Sequence, residues 1–137
     1  MKTDFTLPQN LPIIDKTISQ SMISAYSKIS SDFNPIHLDS NFAINAGFDT
    51  TIAHGMMILS YISEMMTSAF GTKWATTGQL KVKFRSPVVS GESISTYGTL
   101  LRTSPDNHLH LSKAFYKVGI HNINDEPVIT GEASICY

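Results

Sequence analysis

Residues 53–71 run Ala53-His54-Gly55-Met56-Met57-Ile58-Leu59-Ser60-Tyr61-Ile62-Ser63-Glu64-Met65-Met66-Thr67-Ser68-Ala69-Phe70-Gly71. Ala53, Met56, Met57, Ile58, Leu59, Tyr61, Ile62, Met65, Met66, Ala69 and Phe70 recur at helical spacing and cover almost the whole circumference. A helix that is apolar nearly all round is buried on most of its sides. Gly71 ends it. The stretch Met56 to Met66 is broken by Ser60, Ser63 and Glu64, and it is too short to cross a bilayer. Something broad must therefore cover this helix within the protein.

Downstream the periodicity supplies that cover. Leu80, Val82 and Phe84 alternate with Lys81, Lys83 and Arg85, which reads as a half-buried strand with one basic face. Pro87 and Gly91 punctuate the chain, a second strand runs from Glu92 to about Arg102, and Ser104-Pro105-Asp106-Asn107 turns it. In the third strand the apolar parity shifts from Leu109 and Leu111 to Ala114, Tyr116, Val118 and Ile120, which predicts a bulge near Ser112 or Lys113. Asn122 to Glu126 turns again before a last strand over Val128–Tyr137. Strands joined by short turns imply an antiparallel sheet, here wrapped around the long apolar helix in an α+β fold.

Upstream, residues 1–12 with Pro8 and Pro12 read as an irregular lead-in. Ser19 can cap a short helix on which Met22, Ile23, Tyr26 and Ile29 share a face. Asp39 begins a second helix, Ser40 to Ala46, terminated by Gly47. Between them lies Ser30-Ser31-Asp32-Phe33-Asn34-Pro35, a shaped loop in which Pro35 keeps Asn34 out of helical angles.

The whole chain of 137 residues fits a single domain, 1–137, with 42% hydrophobic and 15% charged residues. Net charge is −1, so no global field attracts nucleic acid or anionic lipid. The single cysteine, Cys136, excludes an internal disulfide and a multi-cysteine metal site, and it reads as a small apolar residue of the last strand. The amino terminus has no signal-peptide apolar region, so the expected location is cytoplasmic.

Two segments carry chemistry. Asp32 and His37 place a carboxylate and an imidazole on one loop, with pKa values that bracket acid–base work near neutrality. On spacing alone a helix cap and a surface histidine fit this pair better than a site. His54 and Gly55 open the apolar helix, where backbone N–H groups lack partners and the dipole is positive. A carbonyl oxygen gaining charge would be stabilised there. Equally, Gly55 could serve only tight packing.

Taken together the segments resemble the MaoC-like dehydratases, including the R-specific enoyl-CoA hydratases. The matching residues are Tyr26, then Ser30-Ser31-Asp32-Phe33-Asn34-Pro35-Ile36-His37-Leu38-Asp39, then Ala53-His54-Gly55-Met56, and the Phe84–Glu92 strand-turn with its Pro-Val and Gly-acid pairs. The resemblance spans about residues 10–136. It implies a hot-dog fold and the reversible hydration of a 2-enoyl thioester, on coenzyme A or an acyl carrier, to the (R)-3-hydroxyacyl thioester. In that reading Asp32 and His37 hold the water, the amide of Gly55 polarises the thioester, and Asn34 supports the pair. Ser60, His54 and Met56 line the substrate side. No cofactor or metal is implied, and the partners are the thioester and a second copy of the chain, as a homodimer or larger homo-oligomer.

One departure is Ser31, where the family has glycine; a positive φ there would strain serine by about 1 kcal/mol or more. Other readings are weighed beside this one. Lys81, Lys83 and Arg85 could meet coenzyme A phosphates or be simply solvated. His108, His110 and His121 read as surface histidines, and Trp74 and Phe70 as core or lid. Met56, Met57, Tyr61 and Phe42 are expected along the acyl groove. Two rival functions remain: a hot-dog thioesterase using Glu64 on the helix, and a non-catalytic subunit that only binds acyl thioesters.

Overall fold

The structure, a computed structural model, describes residues 5–106 and 111–137. The turn through Asn107, Leu109 and the histidines His108 and His110 lie outside the described residues.

The helix expected over 53–70 is α3, Gly55–Phe70, preceded by α1 (Gln20–Ser30) and α2 (Ser40–Asn45) and followed by a short α4 (Thr72–Thr77). Five strands, β1 (Asp15–Thr17), β2 (Gln79–Phe84), β3 (Ser93–Asp106), β4 (Leu111–Asn122) and β5 (Pro127–Cys136), form one sheet in the order β1-β3-β4-β5-β2. Every pairing is antiparallel. β3, β4 and β5 are the meander read from the sequence. β2, however, crosses to the far edge and pairs with β5 rather than with its successor β3.

Inward-facing residues line up across the strands in rows. Leu100, Tyr116, Ala133 and Leu80 make one row; Gly98, Val118, Gly131 and Val82 the next; Thr96, Ile120, Ile129 and Phe84 the third. Against them α3 buries Met57, Ile58, Tyr61, Ile62, Met65, Met66 and Phe70. The expectation of burial nearly all round is corrected here: Met56 is 60% exposed and shares an open face with Ser60, Glu64 and Thr67. The sheet covers one side of the helix only, and methionine among polar residues does not by itself say which side.

Local signals decide the helix ends. Ser19 Oγ accepts from the Met22 amide at 3.2 Å, and Asp39 accepts from Asn41 and Phe42. On α1, Ile23 and Ser27 face inward, whereas Ile29 is 82% exposed. Six positions beyond Ile23, Ile29 lies roughly 240° around the helix and off its buried face. The unexpected α4 is tied back by Trp74, whose Nε1 donates to Ser63 Oγ at 2.9 Å, so Trp74 is a packing residue, and Phe70 is core.

The bulge sits elsewhere than expected. Pairing of Ser112 and Lys113 with Pro105 and Ser104 is regular; the extra residue is Leu101 on β3, where Leu100 pairs with Tyr116 and Arg102 with Phe115. Leu111 simply faces out. A parity shift marks a change of face but does not say which strand holds the surplus residue.

The lead-in is anchored, not irregular. Leu11 N–H donates to Gly98 O, and Leu100 N–H to Gln9 O, each at 2.9 Å. Tyr116, fully buried in β4, donates its hydroxyl to Pro8 O at 2.9 Å. Cys136 is buried at the end of β5. Among the described residues no helix is long and apolar enough to cross a membrane.

Burial, with Tyr137 nearby, pushes the Tyr116 phenol from its ordinary value near 10 up to about 12. A raised acid favours the neutral form in the fold, so this contribution is complete below about pH 10 and is lost as pH rises from 10 toward 12. Tyr116→Phe leaves the Pro8 carbonyl unpaired and is expected to cost about 1–2 kcal/mol at neutral pH. Urea denaturation across alkaline pH checks both points: the wild type should lose stability through that window, and the variant should lack that component of the slope.

Candidate active site

Chain geometry between α1 and α3 brings the two chemical segments together. α1 ends at Ser31, which adopts φ 59° and ψ 21°, the left-handed conformation that favours glycine. The serine has thus accepted the strained geometry, and the loop has not relaxed around it. Ser30 Oγ spans the break, donating to Tyr26 O at 2.8 Å and accepting from the Asp32 amide at 3.3 Å. Asn34 is extended before Pro35, and residues Pro35–His37 form a single 3-10 turn.

Asn34 supports this turn in two ways. Its backbone N–H donates to Asp32 Oδ1 at 3.2 Å, and its side-chain oxygen accepts from the Ile36 amide at 3.1 Å. The contact to the carboxylate therefore comes from the main chain, while the side chain shapes the turn that carries His37.

His37 Nε2 and Asp32 Oδ2 stand 3.8 Å apart, the ring nearly buried and the carboxylate half exposed. That is too far for a direct hydrogen bond. On its other side His37 Nδ1 lies 2.8 Å from the Ile52 carbonyl. A carbonyl only accepts, so Nδ1 carries the proton, and in that tautomer of the imidazole the Nε2 lone pair is turned toward Asp32. Two acceptors at this separation suit a water that donates one hydrogen to each.

His54 closes the arrangement from behind. It is buried, its ring stacks on His37 with centroids 3.8 Å apart, and Tyr26 packs on it at 4.8 Å. Its Nε2 lies 3.0 Å from the Asp32 carbonyl and 3.2 Å from Ser27 Oγ, so this nitrogen donates and holds the loop. Nδ1 is buried without a partner. Asp32, His37 and His54 each bring a potential ligand atom within 4.8 Å of the others. Stacked rings, however, keep their in-plane lone pairs in nearly parallel planes one ring thickness apart. They cannot converge on one ion at bonds of about 2.0–2.1 Å. The cluster suits proton transfer better than metal binding.

Gly55 follows His54 as the first residue of α3, whose N-terminus has no side-chain cap. Its amide therefore faces outward without an intrahelical acceptor. A side chain at this position would press on the Phe84 ring, which lies 3.2 Å from where the Cβ would stand. Beside Gly55 opens a cavity of about 350 Å³, lined chiefly by Ile52, Ile58, Phe84, Val88, Val128 and Ile129, with Arg85 and Ser86 also contributing.

Of the expected catalytic and substrate-side residues Gly55 alone lines this cavity; Asp32, Asn34, His37 and His54 lie beside the helix entrance outside its lining, and the others lie apart from it. Met56 and Phe42 are exposed, Met57 and Tyr61 are core, and none lines it. Ser60 sits on the open face of α3 with its hydroxyl donating to Met57 O at 2.6 Å. Glu64 pairs with Lys16 at 3.1 Å, nine residues and roughly 13–14 Å along the helix from Gly55. Lys81 lies opposite Glu132, whose carboxyl is held below the usual range by hydrogen bonds from Arg102 and further by the charges of Arg102 and Lys81. Arg85 donates Nε–H to Thr130 Oγ1 at 2.9 Å, and His121 stacks on Tyr97 beside the Asn122 turn. The apolar lining from Val128 and Ile129 had no signal in the sequence, because it reaches the helix entrance only through sheet pairing.

Relieving the strain at Ser31 should stabilise the fold. Ser31→Gly is expected to raise stability by about 0.5–1 kcal/mol, read as a higher urea midpoint with unchanged slope. A lower midpoint would count against a strained serine.

Comparison with known proteins bears on the same residues. A family model described as MaoC like domain matches residues 8–105. The 3-hydroxybutyryl-CoA dehydratase of Methylorubrum extorquens is 30% identical over 127 residues, 90% of this chain and 75% of that protein. The (R)-specific enoyl-CoA hydratase of Rhodospirillum rubrum is 29% identical over 120 residues, 88% of this chain and 80% of that one. Among solved structures, the (R)-hydratase from A. caviae involved in PHA biosynthesis superposes with a TM-score of 0.80 at 23% identity, covering 97% of both chains. The last of these establishes the hot-dog fold. A match that begins in the anchored lead-in and runs through β3, on that fold, makes this chain a member of the MaoC-like domain family.

Proposed function

We propose that this protein is a hydro-lyase that adds water reversibly to a 2-enoyl thioester, giving the (R)-3-hydroxyacyl thioester, without a cofactor. One observation carries the reading: Asp32 Oδ2 and His37 Nε2 face each other at 3.8 Å with the His37 tautomer set by Ile52, which stands two residues before His54 and three before Gly55 at an uncapped helix entrance.

The pair holds a water between two acceptors. As its oxygen attacks C3, a proton passes to the pair, and negative charge moves to the thioester oxygen. The Gly55 amide and the positive end of α3 stabilise that charge. A proton then returns from the same side to C2, and dehydration is the reverse. The two groups act as a coupled unit. The cavity beside Gly55 receives the apolar part of the substrate. The relatives named for 3-hydroxybutyryl-CoA and enoyl-CoA support a coenzyme A or carrier-bound acyl thioester as substrate. β2, an open edge whose Phe84 borders the cavity, is where a second copy would extend the sheet into a homodimer. A reducing, cytoplasmic setting fits the single buried cysteine.

The thioesterase reading loses its base, since Glu64 is engaged by Lys16 and remote from Gly55. The binding-subunit reading does not account for a convergent pair.

Asp32→Asn and His37→Ala should each lower kcat for crotonyl-CoA hydration by about 10²–10⁴-fold, with circular dichroism unchanged. Loss of the enoyl absorbance and release of free thiol are followed in parallel. Thiol release without hydration, or full activity in either variant, would overturn the proposal.

A further inference from the structure

We propose that Gln20, acting with Thr51, is a positioning residue for His37, a role that rests on the reading of His37 as half of the water-activating pair. Gln20 is the first residue of α1, seventeen positions before His37. Its Nε2 donates to the His37 carbonyl at 2.9 Å, with a longer contact of 3.4 Å to Ser24 Oγ. The Thr51 hydroxyl donates to Gln20 Oε1 in a short hydrogen bond.

The amide orientation follows from these partners. A reversed amide would set its oxygen against the His37 carbonyl, two acceptors with no hydrogen between them. Gln20 therefore links the dyad turn to Thr51, the residue before Ile52. Thr51 is buried, and its carbonyl accepts from Ser90 N–H at 2.9 Å, so the far end of the link is fixed. His37 is consequently held at its main chain by Gln20, at Nδ1 by Ile52 and across its ring by His54. The first contact sets where the residue sits, and the other two set how its ring lies. The turn has one other main-chain tie to the framework, Ile52 N–H to Ile36 O at 3.2 Å, so without Gln20 it can pivot about that single bond and the Nε2 to Asp32 separation is less tightly fixed. Gln20 does not line the cavity, so its effect should fall on turnover and not on substrate binding.

Gln20→Glu separates positioning from mere helix support. It keeps an acceptor for Thr51 but loses the donor to His37, while an acidic residue in the first turn of α1 favours the helix. Expected are a drop in kcat for crotonyl-CoA of about ten- to a hundredfold, KM within about twofold, and an undiminished melting temperature. Thr51→Val should lower kcat in the same direction, and Thr51→Ser, which restores the hydroxyl, should recover it. In a His37→Ala background Gln20→Glu should cause no further loss.

Wild-type kcat in Gln20→Glu beside an inactive His37→Ala would overturn the positioning role alone. An equal loss with and without His37 would do the same. Full activity in His37→Ala would overturn the dyad reading and this inference with it. Were Gln20→Glu to unfold, Thr51→Val against Thr51→Ser decides: equal kcat in the two sinks the role.

Discussion

The backbone of Ile52 is the junction on which the site depends. In an extended segment the N–H and C=O of one residue point to the same side and those of its neighbours to the other. Thr51 O and Ala53 N accordingly bond to Ser90 N and Val88 O, joining this segment to the turn before β3. Ile52 N and O face the opposite way, toward Ile36 O and His37 Nδ1. One residue thus attaches the dyad turn to the framework and dictates which nitrogen of His37 is protonated. Because a carbonyl cannot donate, the reverse tautomer would leave two lone pairs in contact in a partly buried place, a costly arrangement. The basic nitrogen is turned toward Asp32 by main-chain geometry before any substrate arrives.

That geometry explains why the site lies at the end of the sheet and not over its middle. The middle rows are filled by α3, whose buried side chains leave no room for a ligand. Beside its N-terminus a cavity takes the place of packed side chains. Gly55 removes the side chain that would fill the gap, and Phe84, Val88 and Val128 wall off the remaining space. An uncapped helix start forgoes roughly 1 kcal/mol that a serine or aspartate cap would bring. Here the residue in the capping position is His54, whose ring is turned away to hold Asp32 and stack on His37. The helix start is thereby left with bare amides, open to an acceptor from outside the helix.

How much of this could be read beforehand follows from the length scale of each interaction. α3, the alternating strand β2 and the caps Ser19 and Asp39 were legible, because each is announced by neighbours within a few residues. β1, with three residues, and α4, with six, are too short for a period to emerge. The surplus residue is Leu101 on β3 and not Ser112 or Lys113 on β4, since sequence parity sees one strand at a time while a bulge is a property of two. Within the site, Asp32, His37 and Gly55 stood out through their resemblance to a family. Gln20, Ser27 and Thr51 did not, because their bonds to His37, His54 and Gln20 span 17, 27 and 31 positions and involve residue types common on any helix or loop. Ser60 and Met56 failed to reach the cavity for a related reason: helical spacing tells which residues share a face, and only the sheet decides which face is covered.

The strained serine belongs to the same logic. α1 must end so that Asp32 leaves it toward His54, and the left-handed residue at 31 supplies that change of direction. With glycine the bend would be soft; with serine the backbone has fewer alternatives in the unfolded chain but a worse fit in the folded one. The surrounding bonds determine the outcome: Ser30 Oγ ties the helix end to the Asp32 amide, and His54 Nε2 holds the Asp32 carbonyl. With its amide and carbonyl both held, Asp32 has little freedom to follow a relaxing neighbour. The strain is therefore borne at Ser31, a position with no contact to the cavity, while the carboxylate keeps its place opposite His37.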